Sequence, residues 1–333
     1  MNRRQFSKAL LGLPALMRPA HAAAARITLG KQYGLPFLPQ MVMEVQKLIE
    51  KHAAERGIAA LEVSWQTMGG PGALNDALLG GQIQFVNVAA PSLATLWDKT
   101  AGTAQEVRAV CAVQSMPYVL VTRNPAVQTI ADFTAADRIA VPTVKISGQA
   151  MALQMAAAKL WGFEQYERLD PLTVSLGHPD ALAAMLSGQI TGHFAVAPFN
   201  YYELKLPGFR PVLKSYDTVG GKHINGIQVA TKQFHDANPA MCAALIAAHD
   251  EANAFIRAQP LAAAQIYISL ANEKRSSADE LAAMITDPDI EYTTTPANVM
   301  ALVEFMHKVG RIKRMPASWQ DLFFSEAHGL RGS

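Results

Sequence analysis

Side chains able to do chemistry are few in this sequence and widely spaced. Gly69-Gly70-Pro71-Gly72 lies between a strand-like stretch at 61–67 and a helical one at 73–79. Such a loop aims backbone N–H groups at an anion, and it is equally a plain turn leading into a helix. It lacks the Lys and Ser/Thr that a nucleotide-phosphate loop needs. His178, His193, His223 and His235 are scattered, with no second ligand four residues away on a helix face, so no metal site is expected. Ser147, His223 and Asp180 supply the residue types of a nucleophilic triad, as almost any chain of this length would. There is no G-x-S-x-G, H-E-x-x-H, Walker loop or G-x-G-x-x-G. No catalytic residue and no cofactor is therefore expected. Cys111 and Cys242 stand apart without CxxC, haem or zinc spacing and read as two buried free thiols. Aromatics such as Phe85, Trp161 and Phe305 read as core.

Composition narrows the class. At roughly 150 residues per domain, 333 residues imply two domains, and 50% hydrophobic residues with balanced charge exclude a disordered chain. The net charge of +2 is no nucleic-acid signature. Residues 1–22 read as an export signal: Arg3-Arg4-Gln5-Phe6-Ser7-Lys8, an apolar run at 9–17, Arg18-Pro19, then Ala20-His21-Ala22-Ala23. A basic start, a short apolar centre and an A-x-A end define a secretory signal, and the paired arginines resemble the twin-arginine type. Cleavage near Ala22/Ala23 removes four of the 29 basic residues and no acid, leaving 25 against 27 and a net of −2. No cysteine lies near that point to take a lipid, and no later apolar run is long enough to span a bilayer, so a free periplasmic protein is expected.

The elements that would position these residues alternate. Strand-like runs at 26–30, 61–67, 83–89, 107–113 and 118–122 are separated by helical stretches at 38–56 and 73–79 and after Pro91. The order restarts with a strand at 138–141, a helix capped by Ser147, a strand at 169–175, a helix at 180–186 and a strand at 191–196. After a strand at 225–230 the chain turns helical over 239–258, 260–271, 277–285 and 296–309. This implies an α/β fold with mostly parallel sheets. A repeat organises it: Ala77-Leu78-Leu79-Gly80-Gly81-Gln82-Ile83 with Ala90-Pro91, and Ala184-Met185-Leu186-Ser187-Gly188-Gln189-Ile190 with Ala197-Pro198. Two α/β lobes of similar design follow, each presenting strand ends and helix N-termini to a cleft that closes on a small molecule.

Gly30-Lys31-Gln32-Tyr33-Gly34 after the first strand, the 69–72 loop with its following repeat, Ile130-Ala131-Asp132-Phe133 before Arg138-Ile139-Ala140-Val141-Pro142, Ser147-Gly148-Gln149 and Pro198-Phe199-Asn200-Tyr201-Tyr202 stand in a telling order. Together they resemble the periplasmic solute-binding proteins of nitrate/sulfonate/taurine-type ABC importers. That resemblance implies a two-lobed, type II-like periplasmic-binding-protein fold with two crossovers. The first lobe would be 26–113 plus 225–333, and the second 114–224.

It also implies ligand contacts at Gln32, Tyr33, Gly34, Thr67, Met68, Gly69, Gly70, Ala89, Ala90, Ser92, Ser147, Gly148, Gln149, Pro198, Phe199, His223 and Asn225. Many relatives carry Trp-Asp where this chain has Val196-Ala197, so a carboxylate able to pair with a ligand amine is missing and an aminosulfonate such as taurine is disfavoured. Lys31, Lys145 and His223 are the positive candidates nearby. The expected ligand is a neutral or singly anionic organic solute, and the expected partner an inner-membrane ABC permease met by a monomeric receptor. Two alternatives stay open: an enzyme on the same fold, although the Cys-rich iron motif of a pyrimidine-precursor branch is absent, and a binding module serving a secondary transporter or sensor.

Overall fold

The computed structural model describes residues 25–333, and the export segment expected at 1–22 lies outside the described residues. The chain begins with β1 (Arg26–Lys31), α1 (Leu38–Gln46), α2 (Leu48–Glu55), β2 (Glu62–Thr67), α3 (Pro71–Leu79), β3 (Phe85–Val88), α4 (Ala90–Thr100) and β4 (Val107–Ser115). It crosses to a second lobe built from β5 (Val119–Thr122), β6 (Ile139–Val141), α5 (Gly148–Trp161), β7 (Thr173–Ser175), α6 (His178–Ser187), β8 (Gly192–Ala195), α7 (Phe199–Leu204), β9 (Arg210–Lys214) and α8 (Ser215–Val219). It returns through β10 (Ile224–Thr231) to α9 (Lys232–Ala237), α10 (Pro239–Ala258), α11 (Pro260–Ala271), α12 (Ala278–Ile285), β11 (Glu291–Tyr292) and α13 (Val299–Lys308).

One sheet has the order β11-β4-β10-β3-β1-β2 and the other β7-β6-β8-β5-β9. Each is mixed rather than mostly parallel. β1 runs parallel to β2 and β3, and β6 to β7 and β8. β10 is antiparallel to β3 and β4, and β5 to β8 and β9. The cause is topological: β4 leads out of the first lobe and β10 leads back beside it, so the two must run in opposite directions. Strands β3, β5, β6, β8 and β10 are buried along their whole length, as expected where helices cover both sheet faces.

The repeat takes the same form in both lobes. α3 ends before Gly81, β3 follows and α4 starts at Ala90; α6 ends at Gly188, β8 follows and α7 starts at Phe199. Gly81 and Gly188 have φ of 71° and 82°, the left-handed region that stops a helix and that a side chain resists. The single helix expected over 38–56 is broken instead, because Lys47 turns left-handed at φ 51° while the apolar spacing continues past it.

Two crossovers join the lobes, between Ser115 and Val119 and between Val219 and Ile224, and hydrogen bonds tie one to the other. Ser115 Oγ donates to the His223 carbonyl at 2.6 Å and lies 3.1 Å from the Tyr216 hydroxyl. Ser215 Oγ is 2.8 Å from His223 Nε2 and accepts the Tyr118 N–H at 2.9 Å, while the Ser215 N–H returns to the Tyr118 carbonyl at 2.9 Å. The lobes also touch directly. The Leu35 N–H donates to the Ala197 carbonyl at 2.8 Å, and the Gly72 N–H reaches Thr143 Oγ1 at 3.4 Å.

Candidate ligand-binding site

A cleft with about 420 Å³ of empty space lies between the lobes. Loops at the carboxyl ends of six parallel strands line it: Gln32 and Tyr33 after β1, Pro71 after β2, Ala89 after β3, Pro142 and Ser147–Gln149 after β6, His178 after β7, and Val196 after β8. Tyr118 enters from the first crossover, Asn225 from the start of β10, and Asn87 and Val88 from β3 itself. Helices α3, α4, α5 and α6 all start at this cleft, two from each lobe. Their free N–H groups and positive dipole ends favour negative charge at the point where they meet.

Ser147 shows how one such end is prepared. Its hydroxyl accepts the Ala150 N–H at 3.2 Å and its carbonyl the Met151 N–H at 3.1 Å, leaving the N–H groups of Gly148 and Gln149 as the first turn's remaining donors. Glycine is required at 148 because a Cβ there would lie 2.2 Å from the Tyr118 hydroxyl. Among the described residues no Lys, Arg, Asp or Glu lines the cleft. Its titratable groups are Tyr33, Tyr118 and His178. Burial raises the Tyr118 phenol, and burial followed by the nearby His193 lowers His178, so neither is charged near neutrality.

Polar side chains run from the cleft into each lobe. In the first, Asn87 Nδ2 donates to Gln40 Oε1 at 3.1 Å and Gln40 Nε2 to Gln228 Oε1 at 3.3 Å. In the second, Gln149 leads to His178, His193 and Glu203. Asn225 Oδ1 is buried without a partner among the described residues.

Of the expected contacts, Gln32, Tyr33, Ala89, Ser147, Gly148, Gln149 and Asn225 line this cleft. Gly34, Thr67 and Phe199 line an adjoining cavity of about 980 Å³ that shares Gln32 and Tyr33 with it. Trp65, Tyr267, Leu270, Glu273 and Arg275 are among the other residues lining that second cavity, together with Lys31 paired to Glu44. Met68, Gly69, Gly70, Ala90, Ser92, Pro198 and His223 line neither. Ser92 is wholly buried and donates to Asn75 at 2.9 Å, and His223 belongs to the crossover cluster, where burial pushes it down to about 4. Lys145 is exposed beside Glu167. Ser147, His223 and Asp180 do not assemble into a triad, since His223 is bonded to Ser215 and Asp180 is exposed.

Asn87, Tyr118, Pro142, His178 and Val196 line the cleft without having been anticipated. Asn87 is the polar residue in the otherwise apolar β3, and His178 starts α6 after Gly177 much as Gly148 starts α5 after Ser147. The histidines are not all scattered, because His178 and His193 meet. Among the described residues no group of three or more His, Cys, Asp or Glu could hold a metal ion, and no helix is long and apolar enough to cross a membrane. Cys111 and Cys242 are both buried and unjoined.

No family model matches the chain, and no curated protein matches it. Solved structures do. The periplasmic aliphatic sulphonate binding protein SsuA from Escherichia coli superposes with a TM-score of 0.63 at 18% identity, covering 90% of this chain and 99% of that one. This is the periplasmic-binding-protein fold. The alkanesulfonate-binding protein SsuA from Xanthomonas axonopodis, bound to MOPS, gives 0.66 at 17% identity over 91% of this chain and 97% of that one. The periplasmic nitrate-binding protein NrtA from Synechocystis gives 0.65 at 14% identity over 92% and 86%.

Proposed function

We propose that this chain is the solute-binding component of an ABC importer. It captures a small organic anion, or a neutral solute rich in hydrogen-bond acceptors, in the periplasm and delivers it to an inner-membrane permease. No bond is made or broken, and closure of the two lobes is the working step. The observation that carries this reading is the meeting of four helix N-termini, two per lobe, in a cleft that no charged side chain of the described residues lines. Dipoles and amides then hold the anionic head. The adjoining cavity, lined by Tyr33, Trp65 and Phe199 and by the charged Lys31, Glu44, Glu273 and Arg275, takes the remainder of a larger solute.

The fold shared with sulphonate- and nitrate-binding receptors supports the same reading. In this scheme the lobes are 26–113 with 225–333 and 114–224, the receptor is monomeric, and a twin-arginine signal at 1–22 exports it. Gln32, Tyr33, Ala89, Ser147, Gly148, Gln149 and Asn225 form the primary contacts.

The test is thermal unfolding of mature protein that has been refolded to strip carried solute. Nitrate, bicarbonate, alkyl and aryl sulfonates, taurine, aromatic carboxylates, pyrimidines and flavins are screened. A ligand at about 100 times its dissociation constant adds about 2.7 kcal/mol, a shift of a few degrees at this size. A saturable shift without product formation is expected. If nothing shifts and mass spectrometry of the native preparation finds no copurified solute, the receptor reading fails.

A further inference from the structure

Behind the cleft, the second lobe holds a row of side chains that the solute-binding reading does not use. The Gln149 amide nitrogen lies 3.3 Å from His178 Nε2, His178 Nδ1 lies 2.8 Å from His193 Nε2, and His193 Nδ1 lies 2.6 Å from Glu203 Oε1. All four residues are buried, His193 and Glu203 completely. Their surroundings are apolar. Val121 of β5 and Ala140 of β6 flank His193 in the sheet, and the Phe199 ring stacks on His178 at 5.4 Å. Asp180 on α6 and Lys205 just after α7 are exposed, and Lys205 pairs with Glu280 at 2.7 Å. Burial alone shifts His193 and Glu203, while His178 is lowered by burial and then by His193.

A neutral imidazole carries one N–H, so the hydrogen bonds of such a row all point one way. With Glu203 ionised they point inward. The His193 Nδ1–H donates to the carboxylate, the His178 Nδ1–H donates to His193, and the Gln149 N–H donates to the His178 lone pair. The Gln149 oxygen is then left for the cleft. With Glu203 protonated they point outward. Its O–H donates to His193 Nδ1, the His193 Nε2–H donates to His178 Nδ1, and the His178 Nε2–H donates to the Gln149 oxygen. That turns the amide N–H groups to the cleft. The two forms differ by one proton, which leaves from His178 Nε2 as each N–H shifts one place along the row. Glu203 Oε2 has no hydrogen-bond partner among the described residues, a position that a neutral acid's carbonyl oxygen tolerates better than a carboxylate's. Burial pushes this carboxyl up to about 9, so the outward form holds at neutral pH, with the Gln149 amide turned over so that its oxygen takes the place its nitrogen holds beside His178 in the structure.

We propose that Glu203 is a positioning residue which, through His193 and His178, makes Gln149 offer N–H rather than oxygen to the bound solute and so selects an anionic oxygen. Its purpose rests on the solute-binding reading, whereas the proton row exists in the unliganded protein and is tested there first. Mature protein labelled with ¹⁵N in the histidine rings is titrated from about pH 7 to about pH 10 without ligand, with His178→Gln and His193→Gln giving the assignments. Both rings start as Nε2–H tautomers and turn together to Nδ1–H with one midpoint above about pH 8. In Glu203→Gln, whose amide still donates to His193 but cannot ionise, both stay Nε2–H. Rings already in the Nδ1–H form at pH 7, separate midpoints, or a Glu203→Gln protein that turns like the parent overturns the proposal. If Glu203→Gln does not fold, the parent's concerted or separate titration decides alone.

Calorimetry with hexanesulfonate, which stays anionic throughout, then reads selection. At least about tenfold weaker binding at pH 10 is expected in the parent and none of that loss in Glu203→Gln. Equal affinity at both pH values in the parent refutes the selective role. Absence of binding at either pH, with the rings turning as expected, removes the solute-binding reading for this anion class and leaves the proton row standing.

Discussion

Alanine at position 70 separates lobe closure from every other property of the site. Gly70 is extended, with φ −167°, so any residue can adopt its backbone conformation and the requirement for glycine is spatial. A Cβ there would stand 2.5 Å from the Pro142 carbonyl oxygen and 2.6 Å from Thr143 Oγ1, both across the interlobe gap. Relief needs the second lobe to draw back by a sizeable fraction of an ångström, which in a packed contact costs about 1–3 kcal/mol. Opening the lobes removes that strain, so the cost falls on the closed form. Relative to an open unliganded state, binding should weaken about 5- to 150-fold. Gly69→Ala is the control, because a Cβ at 69 meets nothing within 4 Å. Calorimetry with the solute found in the screen reads affinity, and small-angle scattering reads closure. The expected pattern is weaker binding and a larger ligand-bound radius of gyration for Gly70→Ala alone, with the unliganded melting temperature nearly unchanged. Affinities within twofold of each other for the two variants would refute the claim that the ligand-bound form keeps this contact.

Other predictions use different groups. Asp caps a helix as well as Ser, so Ser147→Asp should leave the melting temperature within about a degree, yet its charge beside the Gly148 and Gln149 N–H groups should weaken anion binding at least about 100-fold. Unchanged affinity by calorimetry would exclude an anion at that helix end. His249 is wholly buried with neither ring nitrogen bonded to any described residue, so His249→Leu should remove an unsatisfied group worth about 1–3 kcal/mol and raise the melting point by about 1–4 °C; a drop would show that the ring is satisfied in solution. Burial pushes His223 down to about 4 and His249 to about 3, so the unfolded chain takes up protons from about pH 6.5 downward while the folded chain does not. The stability these two contribute is complete above about pH 6.5 and lost as the pH falls, at about 1.4 kcal/mol per pH unit for each histidine. Urea titrations at pH 6.5 and pH 5 should show that loss, with a shallower slope in His249→Leu, and a flat profile would contradict it.

Local signals read well from the sequence, and long-range ones did not. Ser147 and Ser277 start helices because a cap is chemistry within four residues. The two Gly-Gln-Ile copies mark a helix end and strand start because the left-handed glycine is a local demand. Mixed strand direction was illegible, since it follows from the chain crossing out and back rather than from any residue. β9 carries Pro211, acceptable only because it lies at a sheet edge, and β11 is two residues long. In the site, Gln149 was legible through its helix start. His178, His193 and Glu203 were not, because they come from a helix start, a strand and a later helix, and only packing brings them into one row. A histidine inside the buried β8 and a glutamate four residues after Phe199 were the available hints.

The bonds that tie the crossovers restrict the geometry of opening. Because Ser115 in one linker holds the His223 carbonyl in the other, while Ser215 of the second lobe pins Tyr118, the linkers cannot slide past one another without breaking the first contact. Twisting or shearing of one lobe over the other is therefore penalised, and swinging about a common pin is not. Opening becomes a single coordinate, like the jaw of a clamp. Any partner that touches the two outer rims can then read occupancy as one distance, whatever solute lies inside.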